Sequence, residues 1–183
     1  LYGDTPLLRA ETLAALVTAY RAGSAPLALV SSVASDPHGY GRVLRTAGRI
    51  TGVVEEKDCT ADQRAIHEVN AGVYVLDADF LRRGLASLRP ANAQGEYYLT
   101  DLVALAARGG DVASVSADFA DTAGVNDRAD LAACTAVLRA RVNAGHMAAG
   151  VTFLDPASTT VEPAVELGAD TVLEPMVSLR GKT

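Results

Sequence analysis

From residue 161 onward apolar positions recur every six residues. Val161, Leu167, Leu173 and Leu179 form one series and Val165, Thr171, Val177 and Thr183 a second, with Gly, Asp, Pro and Glu between them. A period of six matches neither the 3.6-residue helix nor the two-residue strand. It is the pattern of hexapeptide β-helix repeats, in which stacked coils bury a continuous core that one coil cannot bury alone. Only about three hexads are present, near the ~3 repeat units a solenoid needs. Residues 151–183 are therefore expected to be a linker and the first hexads of a parallel β-helix, and residues 1–150 must fold by other means.

The rhythm before Gly150 alternates strand and helix. "AETLAALVTAYRA", residues 10–22, carries Leu13, Leu16, Val17 and Tyr20 at helical spacing and stops at Gly23. "PLALVSSV", residues 26–33, is a short continuous apolar run of the kind buried parallel strands show. "GRVLRTAGRITGVVEE" predicts a hairpin about Ala47-Gly48, and Thr60 with Gln63 predicts a capping box. "VNAGVYVLD" reads as a strand, "ADFLRRGLASL" as a helix, "NAQGEYYLTDLVALAARGG" as a loop entering a helix, and "VASVS" as a strand. A long helix follows over residues 127–148, with Leu131, Cys134, Leu138 and Val142 as its stripe. The fold class is α/β, with a mostly parallel sheet and one hairpin.

About half the residues are apolar, enough for a sizeable core, and no apolar run approaches the ~18–20 residues of a membrane span, so a soluble protein is expected. The net charge of −6 and the scattered Lys and Arg argue against a nucleic-acid partner. Cys59 and Cys134 show no metal-ligand spacing and read as free thiols of a reducing cytoplasm; no secretory signal is visible. His38, His67 and His146 share no catalytic or metal spacing, and no nucleophile motif is present.

Several short stretches nevertheless carry chemistry. In "LYGDTPLL" the carboxylate of Asp4 follows an apolar strand-like start, where it either caps the next helix or binds Mg²⁺, which prefers hard oxygens. "DPHGYGR" is either a turn or a place where Gly41 brings main-chain groups to a ligand while Arg42 supplies positive charge. In "TGVVEEKD", Glu55 and its neighbours are either a solvated strand end or, for Glu55, an acceptor of sugar hydroxyls, with Lys57 steering phosphate. Asn70 sits in a strand, where asparagine is disfavoured, so its amide is expected to have a specific partner. In "NAQGEYYLTD", Glu96, Tyr97 and Tyr98 either line a sugar pocket or pack on the sheet. In "GVNDR", Asn126 is either a helix N-cap or an oxygen ligand.

Taken in order, "LYGDTPLL", "DPHGYGR", "TGVVEEKD", "EVNAGVYV", "NAQGEYYLTD" and "GVNDR", followed by the hexads, resemble the bacterial bifunctional N-acetylglucosamine-1-phosphate uridylyltransferase/glucosamine-1-phosphate acetyltransferase. The resemblance covers nearly the whole chain. It implies a Rossmann-like nucleotide-diphospho-sugar transferase domain over residues 1–150, here lacking its N-terminal part. The start of a left-handed parallel β-helix would occupy residues 151–183, and the chain would be a central fragment of a cytoplasmic, homotrimeric enzyme.

Residue by residue, the resemblance implies that Asp4 and Asn126 hold Mg²⁺ and that Tyr2 and Gly3 neighbour the uridine and phosphates. Gly41, Glu55 and Asn70 would contact N-acetylglucosamine 1-phosphate. The implied reaction joins that sugar phosphate to UTP, giving UDP-N-acetylglucosamine and pyrophosphate for peptidoglycan synthesis; no protein nucleophile is needed. The signature loop "LAAGxGTRM" of such enzymes is missing from these residues, and no acetyltransferase residue can be assigned. The 183 residues alone are therefore expected to be inactive, a sugar-phosphate-binding or assembly remnant being the alternative.

Overall fold

The computed structural model describes residues 1–182, so the repeat position at Thr183 lies outside the described residues. The chain forms two compact units, Leu1–Ala123 and the residues from Gly124 onward. Among the described residues no helix is long and apolar enough to cross a membrane.

The first unit begins with helix α1 (Ala10–Ala22), which ends where the Gly23 N–H donates to the carbonyls of Ala19 and Tyr20. Strand β1 (Leu27–Val33) is followed by the hairpin of β2 (Arg42–Thr46) and β3 (Arg49–Val54). Ala47 and Gly48 turn the hairpin with φ of 51° and 82°, the left-handed pair that matches strand twist in a two-residue loop. A 3₁₀ turn (Glu56–Asp58) leads to the short helix α2 (Ala61–Arg64), which is held by the expected reciprocal box between Thr60 and Gln63. Strand β4 (Glu68–Leu76), helices α3 (Ala78–Ser87) and α4 (Asp101–Ala107), strand β5 (Ala113–Ala117) and the short helix α5 (Phe119–Thr122) complete it.

The five strands make one sheet in the order β3-β2-β4-β1-β5. Here the structure corrects the expectation of a mostly parallel sheet: only β1 with β5 is parallel, whereas β1 with β4, β2 with β3 and β2 with β4 are antiparallel. The apolar run of β1 comes from burial on both faces, which does not depend on strand direction. Leu27 and Leu29 face one core with Phe80, Leu102 and Val103; Ala28 and Val30 face a second with Leu16 of α1. Burying each such leucine contributes about 2 kcal/mol.

In the second unit, helix α6 (Arg128–Ala148) is capped by Asp127, whose Oδ1 accepts from the N–H groups of Ala129 and Asp130 at 2.7 and 2.9 Å. Of the expected stripe, Val142 packs with the hexads, but Leu131 and Leu138 are 53% and 43% exposed. Cys134 of that stripe is buried, as is Asn143, whose amide donates to the carbonyls of Pro156 and Thr159, each at 2.9 Å. Helix α6 falls in the same compact unit as the hexads.

The hexads form four two-residue strands, β6 (Thr152–Phe153), β7 (Thr160–Val161), β8 (Val172–Leu173) and β9 (Ser178–Leu179). They pair in parallel one coil apart, β6 with β8 and β7 with β9, and Val161 lies opposite Leu179. Val161, Val165 and Leu173 are buried together, with Leu167, Val177 and Leu179 against them, so the six-residue period is that of the inward-facing side chains. Asp170 and Met176, one hexad apart, both have φ of 64° and mark successive corners.

Candidate functional site

Gly41, Glu55 and Asn70, distant in sequence, meet in the first unit. The sheet brings the residue before β2 beside β4, and the Asn70 N–H donates to the Gly41 carbonyl at 2.8 Å. Glu55 follows β3 with an extended backbone, φ −69° and ψ 149°, as the chain enters the 3₁₀ turn. A Cβ built on Gly41 would lie 3.3 Å from Glu55 Oε2 and 3.0 Å from a Val53 methyl, so a larger residue would have to shift those side chains by a few tenths of an ångström, the φ of Gly41 being ordinary. The other oxygen, Glu55 Oε1, accepts from the Thr100 hydroxyl at 2.8 Å, just before α4.

Asn70 Oδ1 accepts from the Gly72 N–H at 3.2 Å, which leaves the amide NH₂ to donate elsewhere. This local bond accounts for asparagine in a strand, since its side chain satisfies the backbone beside a left-handed residue, Gly72 at φ 71°. The Tyr2 ring lies on Gly72: a Cβ there would come within 2.0 Å of Tyr2 Cε2. Gly72 lies where the register of β4 with β1 shifts, between Asn70, opposite Ser31, and Tyr74, opposite Leu29.

The electrostatics tie the same groups together. The Tyr2 hydroxyl is pushed above its ordinary value by burial, then by the Glu55 carboxylate and by Asp4. The buried Tyr74 hydroxyl is raised further, mainly by burial and then by Tyr2 and Glu55, while the Asn70 amide beside it opposes the shift. Among the described residues no group meets full hydrogen-bond geometry with that hydroxyl. The loop "NAQGEYYLTD" is closed by Asn92, whose Oδ1 accepts from the N–H groups of Gln94 and Glu96 at 3.1 Å, and fastened by the Ala93 N–H to Asp58 Oδ1 at 2.8 Å. Tyr98 donates to Gln94 Oε1 at 3.1 Å, and Tyr97 is 69% exposed.

The remaining sequence candidates fall out differently. Asp4 is exposed, beside Tyr2, and its carboxylate accepts no hydrogen bond from a described residue. Gly3 has open space where a side chain would stand. Asn126 lies in the second unit; it is not the cap of α6, a role taken by Asp127, and its N–H and amide donate to Asp130 at 2.9 and 3.4 Å. Among the described residues no three His, Cys, Asp or Glu side chains cluster closely enough to hold a metal by themselves. A carboxylate and a carboxamide oxygen are nonetheless the hard donors that suit Mg²⁺ completed by substrate phosphates.

Arg42 does not supply charge to a ligand as the sequence suggests: it is 1% exposed and paired with Glu56 at 2.6 Å. Sequence reasoning also missed Gly72, Tyr74 and Thr100. A glycine inside a strand pattern is a signal of close approach that points to Gly72, whereas nothing local distinguishes Thr100 or Tyr74.

No family model matches the chain. It is 50% identical, over its whole length, to the bifunctional protein GlmU of Anaeromyxobacter sp. (strain K), 51% to that of Anaeromyxobacter dehalogenans (strain 2CP-C), and 45%, over 99% of its length, to that of Levilactobacillus brevis. It spans 38% of the length of the first two relatives and 40% of the third. A looser likeness, TM-score 0.49 at 16% identity over 66% of this chain and 46% of the other, relates it to a solved structure of a candidate glucose-1-phosphate thymidylyltransferase from Bacillus anthracis, and bears on neither fold nor function. Related from end to end to proteins of this one name, at 45–52% identity, the chain belongs to the GlmU family.

Proposed function

We propose that the first unit carries the sugar-phosphate half of a uridylyltransferase site, which joins N-acetylglucosamine 1-phosphate to UTP and releases pyrophosphate. The observation that carries this reading is the convergence of the Gly41 main chain, the Glu55 carboxylate and the Asn70 amide at one end of the sheet. Glu55, oriented by Thr100, accepts from sugar hydroxyls. The Asn70 NH₂, left over from the Gly72 bond, donates to an oxygen of the sugar phosphate. Gly41 keeps the wall free of side chain so that the ligand reaches the backbone.

The reaction is an in-line attack of a sugar phosphate oxygen on the α-phosphorus of UTP, and these residues act by holding the attacking phosphate in place. In the first unit Asp4 is the residue that would hold Mg²⁺, which when bound would neutralise charge on the phosphates. Tyr2 and Gly3 lie beside that carboxylate in sequence and take the uridine and phosphate side. The Rossmann-like fold, the left-handed continuation of the hexads, the trimer and a cytoplasmic place in peptidoglycan precursor synthesis belong to the same reading.

Titration of the 183-residue chain with N-acetylglucosamine 1-phosphate, followed by amide NMR, tests it. Shifts at Gly41, Glu55 and Asn70 that are lost in Glu55→Gln are expected; binding that leaves those three signals unmoved would overturn the assignment. With UTP and Mg²⁺ added, no pyrophosphate release is expected from these residues alone, since the glycine-rich phosphate loop is not among them.

A further inference from the structure

The largest fully buried side chain of the protein is a charged one, Arg42. Its guanidinium Nη2 pairs with Glu56 at 2.6 Å, Nη1 donates to the Tyr40 carbonyl, and Nε has no hydrogen-bond partner among the described residues. A buried ion pair is poor value for stability alone, because desolvation offsets the attraction, and its best-attested use is fixing one geometry among alternatives. Its position shows which geometry. Arg42 follows Gly41 and Glu56 follows Glu55, so the pair stands one residue beyond both walls of the candidate site.

We infer that the Arg42–Glu56 ion pair is a positioning device for the Glu55 carboxylate, an inference that rests on the reading of Glu55 as a sugar-hydroxyl acceptor. By holding the partly exposed Glu56 at 2.6 Å, Arg42 fixes the first residue of the 3₁₀ turn that follows β3, and Glu55 before it is left extended with its carboxyl between Gly41 and Thr100. The pairing of Arg42 with Val54 in β3 and Val69 in β4 carries the same constraint to Asn70, whose N–H meets the Gly41 carbonyl. Arg42 and Glu56 touch no ligand; they act through their neighbours.

The test compares Glu56→Gln, Arg42→Lys and Glu55→Gln in the full 183-residue chain. Lysine keeps the charge but lacks the fork that reaches Glu56 and Tyr40 together. Three quantities are read with the thermal midpoint: the ¹³C shift of the Glu55 carboxyl, hydrogen exchange at the Asn70 N–H, and the affinity for N-acetylglucosamine 1-phosphate. Glu56→Gln and Arg42→Lys are expected to move the Glu55 signal, speed Asn70 exchange, and weaken binding about tenfold. With Glu55→Gln already present, Glu56→Gln is expected to cost no further affinity.

A Glu55 signal and an Asn70 exchange rate unmoved by Glu56→Gln would overturn the inference, as would affinity losses that multiply in the double variant. If Glu55→Gln itself leaves affinity unchanged, the functional reading fails instead, and the Glu55 signal and Asn70 exchange still decide whether the ion pair positions them. Should Arg42→Lys not fold, Glu56→Gln carries all three readouts.

Discussion

Glu55 Oε2 lies where a methyl group on Gly41 would be only 3.3 Å away, and the Gly41 carbonyl on the same residue accepts the Asn70 N–H at 2.8 Å. One residue therefore joins a ladder bond to a carboxylate wall. Gly41→Ala is expected to push Val53 and Glu55 aside, destabilising the first unit by about 1–2 kcal/mol and reducing sugar-phosphate affinity. Thermal unfolding and the same NMR titration measure the two effects; unchanged affinity with a lowered midpoint would separate packing from the site.

Gly72 is constrained twice, by its φ of 71° and by the Tyr2 ring above it. The backbone part of the cost of Gly72→Ala is about 1–2 kcal/mol. Tyr2 is 52% exposed and able to swing away, so adding Tyr2→Ala should recover only a small fraction of the loss. Chemical unfolding of the single and double variants checks this; full recovery in the double variant would mean that the ring and not the backbone sets the requirement.

Glu68 of β4 is gripped by Arg45 Nε and Nη2 at 2.7 and 2.8 Å and accepts from the Ser31 hydroxyl at 2.8 Å. The Arg45 hydrogen bonds hold its carboxyl below the ordinary range, against the opposing effect of burial and with help from Ser31. A folded-state value below the unfolded one gives stabilisation that is full above the unfolded carboxyl range, near pH ~4.3, and is lost as pH falls through the folded value. Because Arg45 is partly exposed, the contribution is about 1 kcal/mol. Arg45→Met should be less stable by that amount at neutral pH and converge with the parent protein under strong acid, as urea unfolding at the two pH values would show.

Asn143 is fully buried and satisfies the carbonyls of Pro156 and Thr159 through one amide. Asn143→Ala leaves both acceptors without that donor and opens a void, costing about 2–3 kcal/mol. Asn143→Asp should be worse still, since it buries a carboxylate against two carbonyl oxygens. Hydrogen exchange of the paired strands of the hexad unit, which should lose protection in both variants, checks the effect.

Much of the architecture is written locally. α1, the Ala47-Gly48 hairpin, the Thr60–Gln63 box and the inward series of the hexads follow from periodicity, turn chemistry and capping, which act within a few residues. The direction of the strands next to β1 does not, because burial on both faces produces the same apolar run in either orientation. Leu131 and Leu138 follow helical spacing yet remain exposed, Cys134 of the same stripe is buried, and the other buried residue of α6, Asn143, is a polar one that a hydrophobic pattern passes over.

The order of elements and the hexad repeat were determined by sequence, since each depends on residue type and spacing alone. Tertiary structure alone decided that Arg42 is spent on Glu56, that Thr100 orients Glu55, that Tyr2 lies on Gly72, and that Asp127 and not Asn126 caps α6. Those facts are set by which segments the sheet brings together and which polar groups it removes from water, and a buried charge or hydroxyl takes its partner from whatever folding places beside it.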